Sequence, residues 1–217
     1  MYIPPEDALY LNNVNLFGVD FGTAFPIEAM HELGELGKCF ATSRGTACVF
    51  HCMRIAEYGL RILARRVGVK LIDKGKPQPI EYGTWDKVIQ NIRIKITETR
   101  KKPLGARKEK ALQFYSTAAD ACEYMKDIWR NEISHSRHRF YTRGETLGVI
   151  ERVRMFVNSI AQHEIPKNPR KHLAKINQRV RELQSRHEGP DERPTQRDQS
   201  CSGSGEGSKE EKEKAEG

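Results

Sequence analysis

Apolar residues recur at helical spacing along most of the first 160 positions. Val49, Met53, Ala56, Leu60, Leu63 and Val67 step alternately by four and three, which draws one stripe down one helix face. Arg54, Arg61 and Arg65 fall opposite it. Ser43 is the cap expected for this helix, and Gly68 its end. An earlier helix is predicted over 27–40, with Pro26 at its first position and Glu28 in its first turn. Thr84 opens another, carrying Trp85, Val88, Ile89, Ile92 and Ile96. From Ala111, the residues Tyr115, Ala118, Cys122, Met125 and Trp129 share a face. Thr142-Arg143-Gly144-Glu145 is a capping box, and Leu147, Ile150, Val153, Val157 and Ile160 follow on one face.

The stretches between these segments read as breaks. Residues 70–83 carry Pro77 and Pro79 and are expected to be a loop, and no segment reads as a strand. Residues 99–108 form a basic connection containing Lys101, Lys102, Arg107 and Lys108. The expected architecture is therefore all-α: an up-down bundle of four to five core helices over 26–164. Residues 1–25 are an arm whose Leu9, Leu11, Leu16, Phe17, Phe21 and Phe25 need a surface to cover. Residues 165–188 are expected to hold a basic amphipathic helix with Leu173, Ile176, Val180 and Leu183 at helical spacing. Residues 189–217 are rich in Gly, Ser, Glu and Lys and nearly without apolar side chains, so they are expected to be disordered.

Composition narrows the class. No apolar run is long enough for a membrane span, and the N-terminus shows no basic-then-apolar signal. Five cysteines in 217 residues, an odd number, speak against a disulfide framework and for a reducing, cytoplasmic setting. Cys48, His51 and Cys52 lack a second closely spaced pair, so they read as small core cysteines beside a surface histidine, and no metal or cofactor is called for. Lys and Arg number 37 against 29 Asp and Glu, a net charge of +8. From residue 189 onward acids outnumber bases eight to five, which leaves +11 on residues 1–188. A basic body favours a polyanionic partner such as RNA, while a solvated basic surface is the bland alternative.

The sharpest chemical signal is Trp129-Arg130-Asn131-Glu132-Ile133-Ser134-His135. A histidine titrating near neutrality can take or give a proton. An arginine can hold a phosphate through paired hydrogen bonds and oppose charge developing on it. Asn131 can orient the histidine or contact the phosphate, and Arg137, His138, Arg139 and Arg143 add positive charge nearby. In an unbroken helix, five steps turn His135 about 140° away from Arg130. The helix must therefore loosen near Ser134, or a second copy must supply the partner group. The same string also arises by chance, and a helix C-terminus attracts Arg and His through its dipole alone.

Residues 37–54 (GKCFATSRGTACVFHCMR), residues 57–64 (EYGLRILA) and residues 126–137 (KDIWRNEISHSR) resemble bacterial HEPN-like proteins. The resemblance covers about residues 20–163. Many members of that all-α superfamily carry Arg-x4-6-His with a polar residue after the Arg, and Arg130, Asn131 and His135 match it position by position. The resemblance implies a metal-independent endoribonuclease, a toxin or defence effector. Two motifs would meet across a homodimer, and the RNA 2′-hydroxyl would attack to leave a cyclic phosphate. Glu57 is a candidate supporting contact to Arg130. An antitoxin or other protein partner follows from the same likeness. The superfamily also contains non-cleaving RNA-binding and protein-interaction modules, which is the alternative. A purely structural helical dimer is a third reading.

Overall fold

In the computed structural model the stripe read along 49–67 lies on the central helix. The structure describes residues 3, 5–12, 16–101, 103, 105–132 and 140–164, with isolated positions at 171, 174, 177, 178 and 181. The chain is all-α with a small hairpin. Its long helices are α2 (Ile27–Ala41), α3 (Gly45–Val67), α4 (Trp85–Arg100), α5 (Ala106–Met125) and α6 (Arg143–Glu164), preceded by the short α1 (Val19–Ala24). Helix α3 packs against α2, α4, α5 and α6. Val49, Ala56, Leu60 and Leu63 of its stripe are fully buried, as the four-three spacing requires. Gly68 closes the helix in the left-handed conformation. Trp85, Val88, Ile89, Ile92 and Ile96 are likewise the buried face of α4.

Two start signals hold at atomic detail. Thr84 Oγ1 accepts from the Lys87 amide at 3.3 Å. At α6, the Thr142 amide donates to Glu145 Oε2 at 2.8 Å and the Glu145 amide to Thr142 Oγ1 at 3.3 Å, the reciprocal pair of a capping box. Ser43 does something else. It sits at φ 58° one residue before the N-cap of α3. The Arg44 amide donates to the Cys39 carbonyl at 2.8 Å and the Ser43 amide to the Phe40 carbonyl at 3.0 Å. Ser43 is thus the left-handed residue of a Schellman motif that ends α2, a place usually taken by glycine, and not the cap of α3. Pro26 is the N-cap of α2 rather than its first helical residue.

Other expectations shift. Within 70–83, Leu71–Asp73 (β1) and Lys76–Gln78 (β2) pair antiparallel, Asp73 opposite Lys76. Lys74 (φ 47°) and Gly75 (φ 78°) make the turn, the positive-φ pair of a two-residue hairpin loop. A 3-10 turn, Ile80–Tyr82, leads into α4. Leu147 is exposed, because the core face of α6 runs through Thr146, Val149, Ile150, Val153, Phe156, Val157 and Ile160. The basic connection is shorter than expected: α4 continues to Arg100 and α5 begins at Ala106, so Lys108 is helical.

The arm joins the core. Helix α1 packs on α6, and Phe17, Phe21 and Phe25 are buried and linked ring to ring, at 5.3 Å and 4.4 Å between centroids. Leu9 and Leu11 stay exposed on the preceding turn, Leu9–Leu11, which lies against α2. Among the described residues no helix is long and apolar enough to cross a membrane. Residues 189–217 and the apolar positions Leu173, Ile176, Val180 and Leu183 lie outside the described residues.

Phe21 is 0% exposed and Leu9 61%. Phe21→Ala is therefore expected to cost about 3–5 kcal/mol in urea unfolding and Leu9→Ala no more than about 0.5 kcal/mol. Equal, small losses would show that the arm is not core. Ser43→Gly is expected to stabilise by about 0.5–1 kcal/mol, since it relieves a left-handed non-glycine residue. A fall in thermal midpoint would contradict that reading.

Candidate functional site

Helix α5 does not end cleanly at Met125. It widens into a π turn, Lys126–Arg130, where the Asn131 amide donates to the Lys126 carbonyl five residues back, and helical backbone then runs through Glu132. Such a bulge inserts a residue into the helix and re-aims the side chains beyond it. The first turn of α4 packs beneath it. Lys126 Nζ donates to Asp86 Oδ1 at 2.6 Å and contacts Asp127 Oδ1 at 3.1 Å. Asp86, and then Asp127, hold the Lys126 ammonium above its ordinary pKa. The Arg130 guanidinium lies over the Trp85 ring, 5.8 Å from its centroid. Trp85 is buried, and its indole Nε1 has no partner among the described residues.

Arg130 is half-buried, and among the described residues no carboxylate pairs with it. An aromatic face steadies a guanidinium without neutralising it, so its N–H groups stay free for an anion. Asn131 beside it is exposed. Trp129 turns back to meet Tyr124 edge-on at 5.4 Å, and Arg152 from α6 covers the same tyrosine at 5.2 Å.

His135, Arg137, His138 and Arg139 lie outside the described residues. The ends of that segment are fixed. Tyr141 Oη donates to Glu132 Oε2 at 2.7 Å, so the chain leaves α5 and returns to α6 at one place. A Cβ on Gly45 would collide with the Tyr141 carbonyl and crowd Thr146 Oγ1. That contact presses the return against the start of α3.

The remaining candidates are dispersed. Glu57 accepts from Arg61 Nη2 at 2.8 Å and stands 3.7 Å from Arg54 Nη1. It is committed to its own helix, and a contact to Arg130 is not among its pairings with the described residues. The same strip continues through Glu32, which takes Arg54 Nε at 3.2 Å and His51 Nδ1 at 2.7 Å. His51 is thus a part-buried, carboxylate-bound histidine and not a free surface one. Cys48 and Cys52 are core residues. Cys48 Sγ lies 3.7 Å from the Leu36 carbonyl, and burial pushes the Cys52 thiol well up. Among the described residues no three His, Cys, Asp or Glu side chains are placed to hold a metal ion. Lys101 is exposed, while Lys108 Nζ donates to the Pro103 carbonyl at 3.3 Å. Lys102 and the side chain of Arg107 lie outside the described residues. Arg143, at the first position of α6, is held by Asp7 of the arm and lies over Phe40 at 4.4 Å.

Two partners had no local signal in the sequence. Trp85 fits its core stripe, and nothing in its own helix marks it as the platform for an arginine some 45 residues later. Asp7 is an ordinary acid in a Pro-led turn until the fold brings it to Arg143. Comparison with protein-family models, with curated proteins and with solved structures returns no match.

Proposed function

We propose that this protein is a HEPN-type endoribonuclease, a toxin or defence effector that cuts RNA by transesterification. The observation that carries the reading is Arg130: a half-buried guanidinium on a π turn, steadied by the Trp85 ring and with no carboxylate partner among the described residues. The motif resemblance supplies the rest of the reading. In the proposed reaction the RNA 2′-hydroxyl attacks the adjacent phosphorus. A proton passes from that hydroxyl to a base, and another is delivered to the departing 5′-oxygen. The products are a 2′,3′-cyclic phosphate and a 5′-hydroxyl. His135 is assigned the proton transfers. Arg130 opposes the charge that builds on the non-bridging oxygens, and Asn131 orients. In a homodimer, Arg130 of one protomer and the partner subunit's His135 meet in one site. A cytoplasmic setting with an antitoxin-like protein partner belongs to the same proposal.

A non-catalytic RNA-binding or protein-interaction module is the second reading. Its protein-interaction form is favoured by the pairing of Arg61 with Glu57 and of Arg65 with Glu81, which removes part of the basic surface from phosphate contact.

One experiment separates them. Purified protein in EDTA is expected to cut single-stranded RNA to fragments ending in 2′,3′-cyclic phosphate. Arg130→Ala and His135→Ala, each with an unchanged helical circular-dichroism spectrum, are each expected to lower the rate by about 10²-fold or more. Salt-dependent RNA binding without product would leave the module reading, and cleavage undiminished in both variants would remove these residues from the chemistry.

A further inference from the structure

The π turn sends consecutive side chains to two sides. Arg130 goes to Trp85 at the start of α4. Trp129, one residue earlier, goes back to Tyr124, with the ring centroids 5.4 Å apart and the planes at 88°. Arg152 reaches across from α6 and lies over the same tyrosine, 5.2 Å from its centroid. Three side chains from two helices and the turn therefore meet at one ring. That ring is open to solvent: Tyr124 is 46% exposed, as is Ile128 one turn on. One turn before Arg152, a Cβ on Gly148 would meet nothing within 4 Å, so that flank of α6 is uncovered.

A lone exposed tyrosine needs no explanation. Here the ring is braced by Trp129 and faced by an arginine that has no acid. Arg152 is exposed, and among the described residues no carboxylate pairs with it. The acids nearest in sequence are committed elsewhere, Glu151 to Arg154 and Glu123 to Arg93. Most arginines of this surface take a carboxylate, as Arg54, Arg61, Arg65 and Arg93 do. Arg152 takes a ring instead, which leaves its charge whole. A flat aromatic and guanidinium surface that carries unmatched positive charge is complementary to an unpaired base on a phosphate chain. A purely apolar partner would leave that charge unanswered.

We propose that Tyr124, Trp129 and Arg152 are a subsite for an unpaired base of single-stranded RNA. The base lies on the Arg152–Tyr124 pair, Trp129 holds the tyrosine in place, and Arg152 and Arg130 draw the phosphates on the two sides of the turn. Consecutive Cα atoms are about 3.8 Å apart, so the backbone of one turn fixes this platform relative to Arg130. The inference rests on RNA being the ligand, as in the ribonuclease reading, and it gives these three side chains no step of the reaction.

The test is binding of the full chain to a short single-stranded 2′-O-methyl oligoribonucleotide, which has no free 2′-hydroxyl to attack, and to the same strand made abasic. Tyr124→Ala is expected to weaken binding of the intact strand about fivefold or more. Arg152→Lys keeps the charge and loses the flat guanidinium, and is expected to weaken it about threefold. Tyr124→Phe keeps the ring and is expected to stay within about twofold of wild type. On the abasic strand wild type and Tyr124→Ala are expected to bind alike. Should Tyr124→Ala lose its helical circular-dichroism spectrum, Arg152→Lys decides by the same comparison of the two strands. Equal affinity of variant and wild type for the intact strand would overturn the proposal, as would equal losses on both strands. Wild type that binds neither strand would also overturn it and give this face to a protein partner. Base-dependent binding by a protein that cuts no RNA would keep this inference and remove the ribonuclease reading. Cleavage of RNA with no effect of Tyr124→Ala on binding would do the reverse.

Discussion

The end of the molecule that carries Arg143 is positioned by one close approach, that of Gly45 to the Tyr141 carbonyl. Any side chain at residue 45 would drive α3 and the entry of α6 apart. With glycine there, the start of the central helix and the return from residues 133–139 pack backbone to backbone. Tyr141 is then within reach of Glu132, Arg143 is set on Phe40, and Thr146 is buried with its hydroxyl on the Thr142 carbonyl at 2.8 Å. The far ends of the same two helices are tied separately: Arg66 Nη1 donates to the His163 carbonyl at 2.5 Å, and His163 stacks on Phe114 at 3.7 Å. Interiors packed this densely transmit such constraints, so α3 and α6 act as a rigid pair that fixes where Arg143 sits.

The stripes on α3 and α4 and the capping box at Thr142 were legible because each is a local pattern with one structural solution. Helical spacing decides which face is buried, and a Thr-x-x-Glu pair decides where a helix starts. Features that depend on distant packing were not. Ser43 has the chemistry of a cap, yet the Schellman hydrogen bonds closing α2 claim it first. Leu147 lies three residues before Ile150, but its direction falls just outside the face that α3 covers. The hairpin was hidden by three-residue strands and by Pro77 within one of them, although Lys74-Gly75 was a two-residue turn signal. At the candidate site, Arg130 and Asn131 were readable as chemistry. The Trp85 platform and the Asp7 clasp were not, because each depends on pairing between segments far apart in sequence.

The charge picture changes once the pairs are known. Composition gives a basic chain, but several of its guanidinium groups are already matched. Arg54 meets Glu32, Arg61 meets Glu57, Arg65 meets Glu81, Arg66 meets Glu164, and Arg93 meets Asp120 and Glu123. Exposed pairs of this kind contribute little stability each. Their larger effect is on the field, because a matched pair presents a dipole where an unmatched arginine presents a full charge. The +8 of the chain is already the sum after such pairs cancel, so the pairs decide where the excess lies, and the unmatched arginines gain weight as anion contacts.

Arg130 and Arg143 show two ways of holding the same side chain. Both rest on an aromatic ring, Trp85 in one case and Phe40 in the other. A ring under a guanidinium contributes about 0.5–2 kcal/mol and restricts its orientation, while its charge and in-plane N–H groups remain available. Arg143 differs by having its in-plane edge occupied by Asp7. Among the described residues no carboxylate meets the edge of Arg130, whereas the edge of Arg143 is closed by one. The two guanidinium groups therefore share a platform and differ in what meets their in-plane N–H groups. That difference comes from a single carboxylate on the N-terminal arm rather than from the arginines themselves.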